Sequence, residues 1–416
     1  MDIFDKCKSD GGFFPRYRME NDNFFTQPVM DTPPGTVMKF HGKEQIIWSV
    51  NSYLGLAGNE EIKSVARDTL DEWSVSGPMG SRMMSGNTIH HIELEKQLAE
   101  FAQKEASILF NYGYLGVIGS IASILGPDDT IVMDKLAHAC IIDSALMSRA
   151  QLRVYRHNDM ESLENTLKRA NKNRKGGVLI LTEGVYGMTG DLAKLDEICA
   201  LKEKYNARIF VDDAHGVGVV GDKGRGAADF FGVQDKVDLY FGTFAKAFAS
   251  IGGFTAGDTD VIQWIRYNAR TQIFAKSLPM IYVKSLEKTL ELVINGDDRR
   301  KKCFENSRKL ADGLRDLGYF IAKVDSPIVP VFLPEGEEMA TTMMAYLRER
   351  GVFISAVVYP VIPRGLALIR MIPTAAHTDE QINTTIEKFK EMRDELKLHL
   401  NMDPKVVHRI YSGHDE

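Results

Sequence analysis

Between residues 60 and about 295, short apolar runs alternate with stretches of helical periodicity, and this alternation restricts the fold more than any other feature. The runs "IVMD" (131–134), "GGVLILTEG" (176–184), "ARIFVDDAH" (207–215) and "VDLYFGT" (237–243) read as buried strands. Helical patterns over 92–104, 159–171 and 194–205 separate them. Strands that are apolar on both faces, with helices between them, predict an α/β fold with a mostly parallel central sheet flanked by helices. Ligands in such sheets sit beyond the carboxyl ends of the strands. Three of the predicted strands end in chemistry: Glu183, the turn Asp212-Asp213-Ala214-His215, and Thr243 followed by Lys246.

After residue 296 the pattern changes. A helical stretch (298–317) leads to "SPIVPVFLP", a helix (337–350), "GVFISAVVYP", "ALIRMIP" and a last helix (378–398). This predicts a smaller C-terminal α+β unit. At 416 residues the chain exceeds the size at which one core usually splits. The expected division is an N-terminal arm (1–50), a large domain (51–295), a small domain (296–400) and a polar tail (401–416) that includes "RIYSGHDE". The arm is irregular and aromatic, with Phe4, Phe13, Phe14, Tyr17, Phe24 and Phe25. It is expected to pack on another surface, such as a partner subunit, or to cover a ligand site.

Bulk properties remove several classes. A net charge of −6 argues against a nucleic-acid partner. Cys7, Cys140, Cys199 and Cys303 are scattered without a CxxC pair, which speaks against a disulfide framework or a structural zinc site and fits a reducing cytosol. The first residues, "MDIFDKCKSD", lack the apolar segment of a signal peptide. No run approaches 18 apolar residues, so no transmembrane segment is expected and the protein is read as cytoplasmic.

Lys246 stands in "FGTFAKAF" among small and aromatic residues, with Gly252-Gly253 close behind. An amine there is poorly solvated, which favours its uncharged, nucleophilic form. Asp212 ends the preceding predicted strand. A lysine and a carboxylate at neighbouring strand ends suit pyridoxal 5′-phosphate, which needs an amine for its aldehyde and an anion for its ring nitrogen. "FNYGYLG" (110–116) follows the predicted strand "ASILF" and would offer the N–H groups of Gly113 and Tyr114 to a phosphate at a helix start, with the Thr243 hydroxyl beside them. His138 follows the strand at 131–134 and could stack on a pyridine ring or be merely structural. "GVGVVG" (216–221) matches the dinucleotide pattern G-x-G-x-x-G, but "DKGRGAA" follows it, where a helix is required. A turn is expected there, and an NAD-dependent dehydrogenase is the alternative from another reaction class.

The chain resembles the α-oxoamine synthases, fold-type I pyridoxal phosphate enzymes. The resemblance runs from residue 45 to 398 and rests on "NSYLGLAG" (51–58), "GSRMMSGN" (80–87), "HIELE" (91–95), "HACIID" (138–143), "TEGVYGMTGD" (182–191), "VDDAHGVGVVGDKGRG" (211–226), "GTFAKAFASIGG" (242–253) and "IRMIPTAAHT" (369–378). "GDTDVIQWIRYNARTQIF" (257–274) looks most like bacterial serine palmitoyltransferases. The resemblance implies a decarboxylating condensation of an amino acid with an acyl thioester. Lys246 would carry the cofactor and remove the Cα proton, Asp212 would keep the ring nitrogen protonated, His138 would stack on the ring, and His215 would bond its phenolic oxygen. Glu183 would lie at the cofactor, Arg370 would pair with the substrate carboxylate, and Arg82 would be a substrate-side arginine. Asn51 and Tyr53 would reach in from the partner subunit of a homodimer with composite sites. The acyl donor would be a fatty acyl-CoA or an acyl carrier protein, with peripheral membrane contact possible on product release. An inactive regulatory subunit is a further alternative, disfavoured by the presence of Lys246.

Two positions depart from the family pattern. Gly187 stands where a serine is usual, and Ala275-Lys276 in "FAKSL" (274–278) replaces a serine and a neutral residue. The lost serine would touch a phosphate across the subunit interface. Lys276 could replace that contact, or it could meet an extra anion on the amino acid, as the sulfonate of L-cysteate would supply. Met79, Met83 and Met84 are expected either to pack in the core or to line the path of a long acyl chain. The reading is therefore L-cysteate with a long-chain acyl thioester. L-serine is the first alternative; glycine C-acetyltransferase and 8-amino-7-oxononanoate synthase activities come next.

Overall fold

The structure, a computed structural model, describes residues 2–8, 24–172, 174–359, 361–362, 366–405 and 407. Phe13, Phe14 and Tyr17 of the expected arm, and the "RIYSGHDE" tail, lie outside the described residues. The hairpin β1 (Val37–Phe40) and β2 (Lys43–Ile47) comes first. Next follow β3 (Ala106–Phe110), β4 (Thr130–Asp134), β5 (Gln151–Tyr155), β6 (Val178–Glu183), β7 (Arg208–Asp212), β8 (Leu239–Thr243) and β9 (Gly253–Gly257). These seven form one sheet in the order β3-β9-β8-β7-β6-β4-β5. Its β5-β4-β6-β7-β8 pairings are parallel and those of β9 antiparallel.

Alternation along the strands explains why the sheet is covered on both sides. Val132, Ile180 and Val211 enter one hydrophobic core, while Ile131, Leu181 and Phe210 enter another on the opposite face. The helices between the strands supply the other half of each core. They include α1 (Gly113–Ile124), α2 (Ala139–Ser148), α3 (Met160–Lys172) and α4 (Leu195–Lys204). The α/β architecture expected from the alternation is therefore the observed one.

The second unit is built on β10 (Phe320–Ile321), β11 (Val329–Leu333), β12 (Val352–Phe353), β13 (Ala356–Val357) and β14 (Ala367–Met371). Four of these make an antiparallel sheet in the order β10-β11-β14-β13. The helix Asp297–Asp316 precedes it, and α5 (Gly336–Glu349) and α6 (Asp379–Leu396) complete its cover. The helix α6 opens on a capping box, in which the Thr378 hydroxyl and the Gln381 amide each satisfy the other's backbone N–H.

The expected arm over 1–50 needs correction. The strand β2 pairs in parallel with β12, so residues 37–48 belong to the C-terminal unit. Trp48 is fully buried there, stacks on His377 at 4.2 Å and donates its indole N–H to the Thr385 hydroxyl at 3.0 Å. A large aromatic with a satisfied polar tip is a core anchor.

Candidate active site

The carboxyl ends of β4, β6, β7 and β8 lie side by side, and each carries one predicted residue. Lys246 sits two residues past the Phe244–Gly252 backbone bond that closes the turn after β8. Burial is the main influence on its amine and lowers it to about 8; Asp212 opposes this, and Arg370 adds to it. Asp212 ends β7 and is buried. Its carboxylate accepts from the Ala214 N–H at 3.2 Å and from the Cys140 thiol at 3.5 Å. Burial raises its pKa, with Lys246 and His138 pulling the other way.

His138 is the N-cap of α2, and its Nδ1 accepts from the Cys140 N–H. The ring is exposed, so a face is open to a planar partner. Desolvation lowers its pKa, as does Lys246, against Asp212. The His138 N–H donates to Glu183 Oε1 at 2.8 Å, and the Gly187 N–H donates to Glu183 Oε2 at 3.1 Å. Glu183 thus spends both oxygens on the two loops that flank it. These two bonds make it a brace between the loops. Burial, reinforced by Asp212, pushes its pKa up to about 8.

His215 is buried and bonds the Tyr53 hydroxyl through Nδ1 at 2.8 Å. Burial, together with Lys246 and Arg370, holds it neutral, well below the usual imidazole range. Arg370 comes from β14 of the small sheet. Its Nε donates to the Gly187 carbonyl at 2.5 Å and its Nη2 to Asn51 Oδ1 at 3.3 Å. Tyr53 and Asn51 therefore join this chain's own His215 and Arg370. The segment after β2 folds back on the same chain's β14, where Ile372 N–H donates to the Trp48 carbonyl and Ala375 N–H to the Tyr53 carbonyl.

At the other end of the site stands the N-terminus of α1. Its N-cap, Tyr112, makes no side-chain cap, so the first N–H groups are uncommitted to one. Gly113 is glycine for a steric reason: a Cβ there would lie 2.7 Å from Thr243 Oγ1. The Tyr114 hydroxyl is committed to Asp143, which leaves its backbone as the part that faces a ligand. Ala275 and Lys276 lie next to this cradle, where Asn111 donates to the Lys276 carbonyl. The Lys276 side chain is exposed, and its amine donates to the Ser76 carbonyl at 2.5 Å.

Arg82 lines the same small cavity as Ala275 and Lys276. Its guanidinium is buried, forms a two-pronged pair with Glu95 at 2.9 and 3.1 Å and donates to Asn87 at 2.7 Å. That fork is engaged by Asn87 and Glu95 within the fold. The sequence "GVGVVG" forms a turn without a helix opening in it; a Cβ at Gly216 would fall 2.1 Å from Asp213 Oδ1. A cavity of about 330 Å³ opens beside His138 and Glu183, walled by Leu136, Ile142, Met188 and Ile362.

The description "Aminotransferase class I and II" matches residues 43–389. The chain belongs to the class I and II aminotransferase family. Within it, the chain is 45% identical to a cysteate-C-fatty acyltransferase of Capnocytophaga ochracea over 95% of both chains. It is 38% identical to an 8-amino-7-oxononanoate synthase of Thermoanaerobacter pseudethanolicus over 89% of this chain and 93% of that one. The solved serine palmitoyltransferase of Sphingomonas wittichii superposes with a TM-score of 0.89 at 31% identity, covering 95% of this chain and 99% of the other. This class I and II aminotransferase chain is thus an α-oxoamine synthase, a pyridoxal phosphate-dependent acyltransferase of fold-type I.

The residues present fit that cofactor. The bare helix start with Gly113 packed on Thr243 suits a phosphate, the buried Asp212 suits a pyridinium, and the lowered Lys246 amine suits an aldehyde. When bound, pyridoxal phosphate supplies an aldehyde carbon and a ring that withdraws electrons from an amino acid's Cα. Among the described residues no helix is long and apolar enough to cross a membrane. Sequence reasoning overlooked one group, His157, whose only signal is a histidine two residues past the end of β5.

Proposed function

We propose that the protein condenses L-cysteate with a long-chain acyl thioester, with loss of CO₂, to give the 3-keto base of a sulfonolipid. The observation that carries this reading is the 45% identity, over 95% of both chains, to a relative named for cysteate and fatty acyl transfer. In this reading Lys246 holds the cofactor and moves the Cα proton, and Asp212 anchors the ring nitrogen. His138 lies on the ring face, His215 meets the phenolic oxygen, and Arg370 with Asn51 takes the amino-acid carboxylate. A neutral His215 can donate one hydrogen bond through Nε2 while Nδ1 accepts from Tyr53.

Lys276 is the cation assigned to the sulfonate. Its exposure on a single chain agrees with a place at the interface of a homodimer, facing the partner's site. A long acyl chain is supported by the apolar cavity beside His138 and by the methionines. Met79 and Met84 are 77% and 83% exposed, which removes core packing as their role within the chain. The acyl carrier, coenzyme A or an acyl carrier protein, would dock from that side. The small and large units would correspond to the division at about residue 295. L-Serine is the second reading, favoured by the likeness to a serine palmitoyltransferase structure.

The test is a panel of L-cysteate, L-serine, glycine and L-alanine, each titrated against the holoenzyme by the change in cofactor absorbance. A charge-assisted contact contributes roughly 1.5–3 kcal/mol. Cysteate should therefore bind about ten- to a hundredfold tighter than serine, and Lys276→Ala should erase most of that preference. Equal losses for both amino acids would make Lys276 a phosphate or structural contact. No response to cysteate at all would leave serine as the substrate.

A further inference from the structure

Three strand-end loops meet behind the site on one side chain. His157 follows β5. Its Nδ1 lies 3.0 Å from Asp134 Oδ1, at the end of β4, and its Nε2 lies 3.0 Å from Asp191 Oδ2, in the loop after β6. An ionised carboxylate only accepts, so both ring nitrogens donate and the ring is an imidazolium. Burial alone would lower its pKa, but Asp134 and Asp191 outweigh that and hold it at about 10. The Tyr186 ring meets it edge-on at 4.4 Å.

Each aspartate then ties down a wall of the site, Asp134 through its carboxylate and Asp191 through its backbone carbonyl. Asp134 Oδ1 also accepts the Leu136 N–H at 2.8 Å, which sets the turn leading to His138. The Asp191 carbonyl accepts the Tyr186 N–H at 3.0 Å, and Gly190 N–H returns to the Tyr186 carbonyl at 2.8 Å, closing residues 186–191 into a compact loop. Asn158 adds a second tie, donating to Asp191 at 3.2 Å and to the Leu192 carbonyl at 2.9 Å. Gly187 lies in that loop, and its carbonyl receives Arg370 Nε.

We propose that His157 is a positioning residue for amino-acid binding: a buried cation that locks the loops after β4 and β6, and through the Gly187 carbonyl aims the Arg370 guanidinium. The proposal rests on the reading of Arg370 as the carboxylate's partner. A buried ion triad can also be purely structural, in which case its loss costs stability and nothing else. The two roles separate in a folded, cofactor-loaded variant.

The experiment is His157→Gln, loaded with pyridoxal phosphate and titrated with L-cysteate and L-serine by cofactor absorbance. The apparent Kd for the amino acid that binds wild type should rise roughly tenfold or more, the size of a misplaced charge-assisted contact. The Kd for the cofactor should stay within about threefold, since the Lys246, Asp212 and Gly113 contacts are untouched. Amide hydrogen exchange of residues 185–192 should speed up in the variant. Arg370→Ala alone tests the carboxylate reading, and the double variant His157→Gln/Arg370→Ala should bind no worse than Arg370→Ala, because one acts through the other. An unchanged amino-acid Kd in His157→Gln beside a weakened Arg370→Ala overturns the positioning role only. An unchanged Arg370→Ala overturns the carboxylate reading and this route with it. If His157→Gln does not fold, the isosteric Asp191→Asn decides: it should weaken amino-acid binding several-fold, and no change refutes the proposal.

Discussion

Gly187 shows how far a single residue constrains this site. A Cβ there would lie 2.4 Å from His215 Nε2 and 2.7 Å from its Cδ2. The histidine ring occupies the place of a side chain, and this is the physical content of the departure from serine. Gly187→Ser should therefore push His215 off Tyr53. We expect a loss of about 1–3 kcal/mol in stability, as for other overpacked buried sites, and a several-fold weaker hold on the cofactor. Urea unfolding and cofactor titration would measure both; a variant equal to wild type in each would show that the ring has somewhere else to go. Lys246 and Asp212 were readable in the sequence because a charged side chain among small apolar residues at a strand end has few other uses. His157 was not, since nothing in "YRHND" (155–159) says that two carboxylates 23 residues before it and 34 after it fold onto its ring. Lys246→Ala should abolish turnover. Borohydride reduction followed by mass spectrometry should find the cofactor's mass added to wild type and absent from the variant; addition at another lysine would move the assignment.

At the level of elements, the sheet was legible where strands are apolar on both faces and obscure where they are not. The strand β9 was missed because Gly253 and Gly257 break its pattern. Both are required by packing: a Cβ at Gly253 would meet Phe241 Cζ at 2.8 Å, and one at Gly257 would meet Leu239 Cδ2 at the same distance. The strand β5 was missed because it is an edge strand with three exposed residues, so half its pattern is polar. The helix α1 carries the sharper functional consequence. Its first turn has no side-chain cap, and Gly113 lets it approach Thr243. Gly113→Val would place a branched side chain between that turn and the hydroxyl. The Kd for pyridoxal phosphate should rise at least tenfold, and inorganic phosphate should lose whatever protection it gives the cofactor-free chain against urea. An unchanged cofactor Kd would move the phosphate elsewhere.

At the scale of the whole molecule, the surface around α1 is too apolar for a lone chain. Phe274 is 73% exposed at the end of the short helix Arg270–Ile273, which packs on α1, and Leu146 is 67% exposed on α2, which packs on α1 as well. Large exposed apolar side chains grouped beside one helix suit an interface. Wild type should sediment as a dimer, and Phe274→Glu should shift it toward monomer with loss of activity; a fully active monomer would refute the composite site. The same scale gives the pH dependence its sign. The His157 pKa is raised in the fold to about 10 from an ordinary 6.5, by Asp134 and Asp191 against burial. A raised pKa contributes stability that is fully present below 6.5 and fades as pH rises toward 10. The groups facing the ring are Asp134 from β4, and Tyr186 and Asp191 from the loop after β6. Burial pushes the Tyr186 hydroxyl well above its usual range, so it does not ionise within that window. The stability gap between wild type and His157→Gln should thus be widest near pH 6.5 and narrow by about 2–4 kcal/mol by pH 10. Urea midpoints at several pH values across that range would measure it. A gap that stays constant would mean that the ring is neutral in the fold.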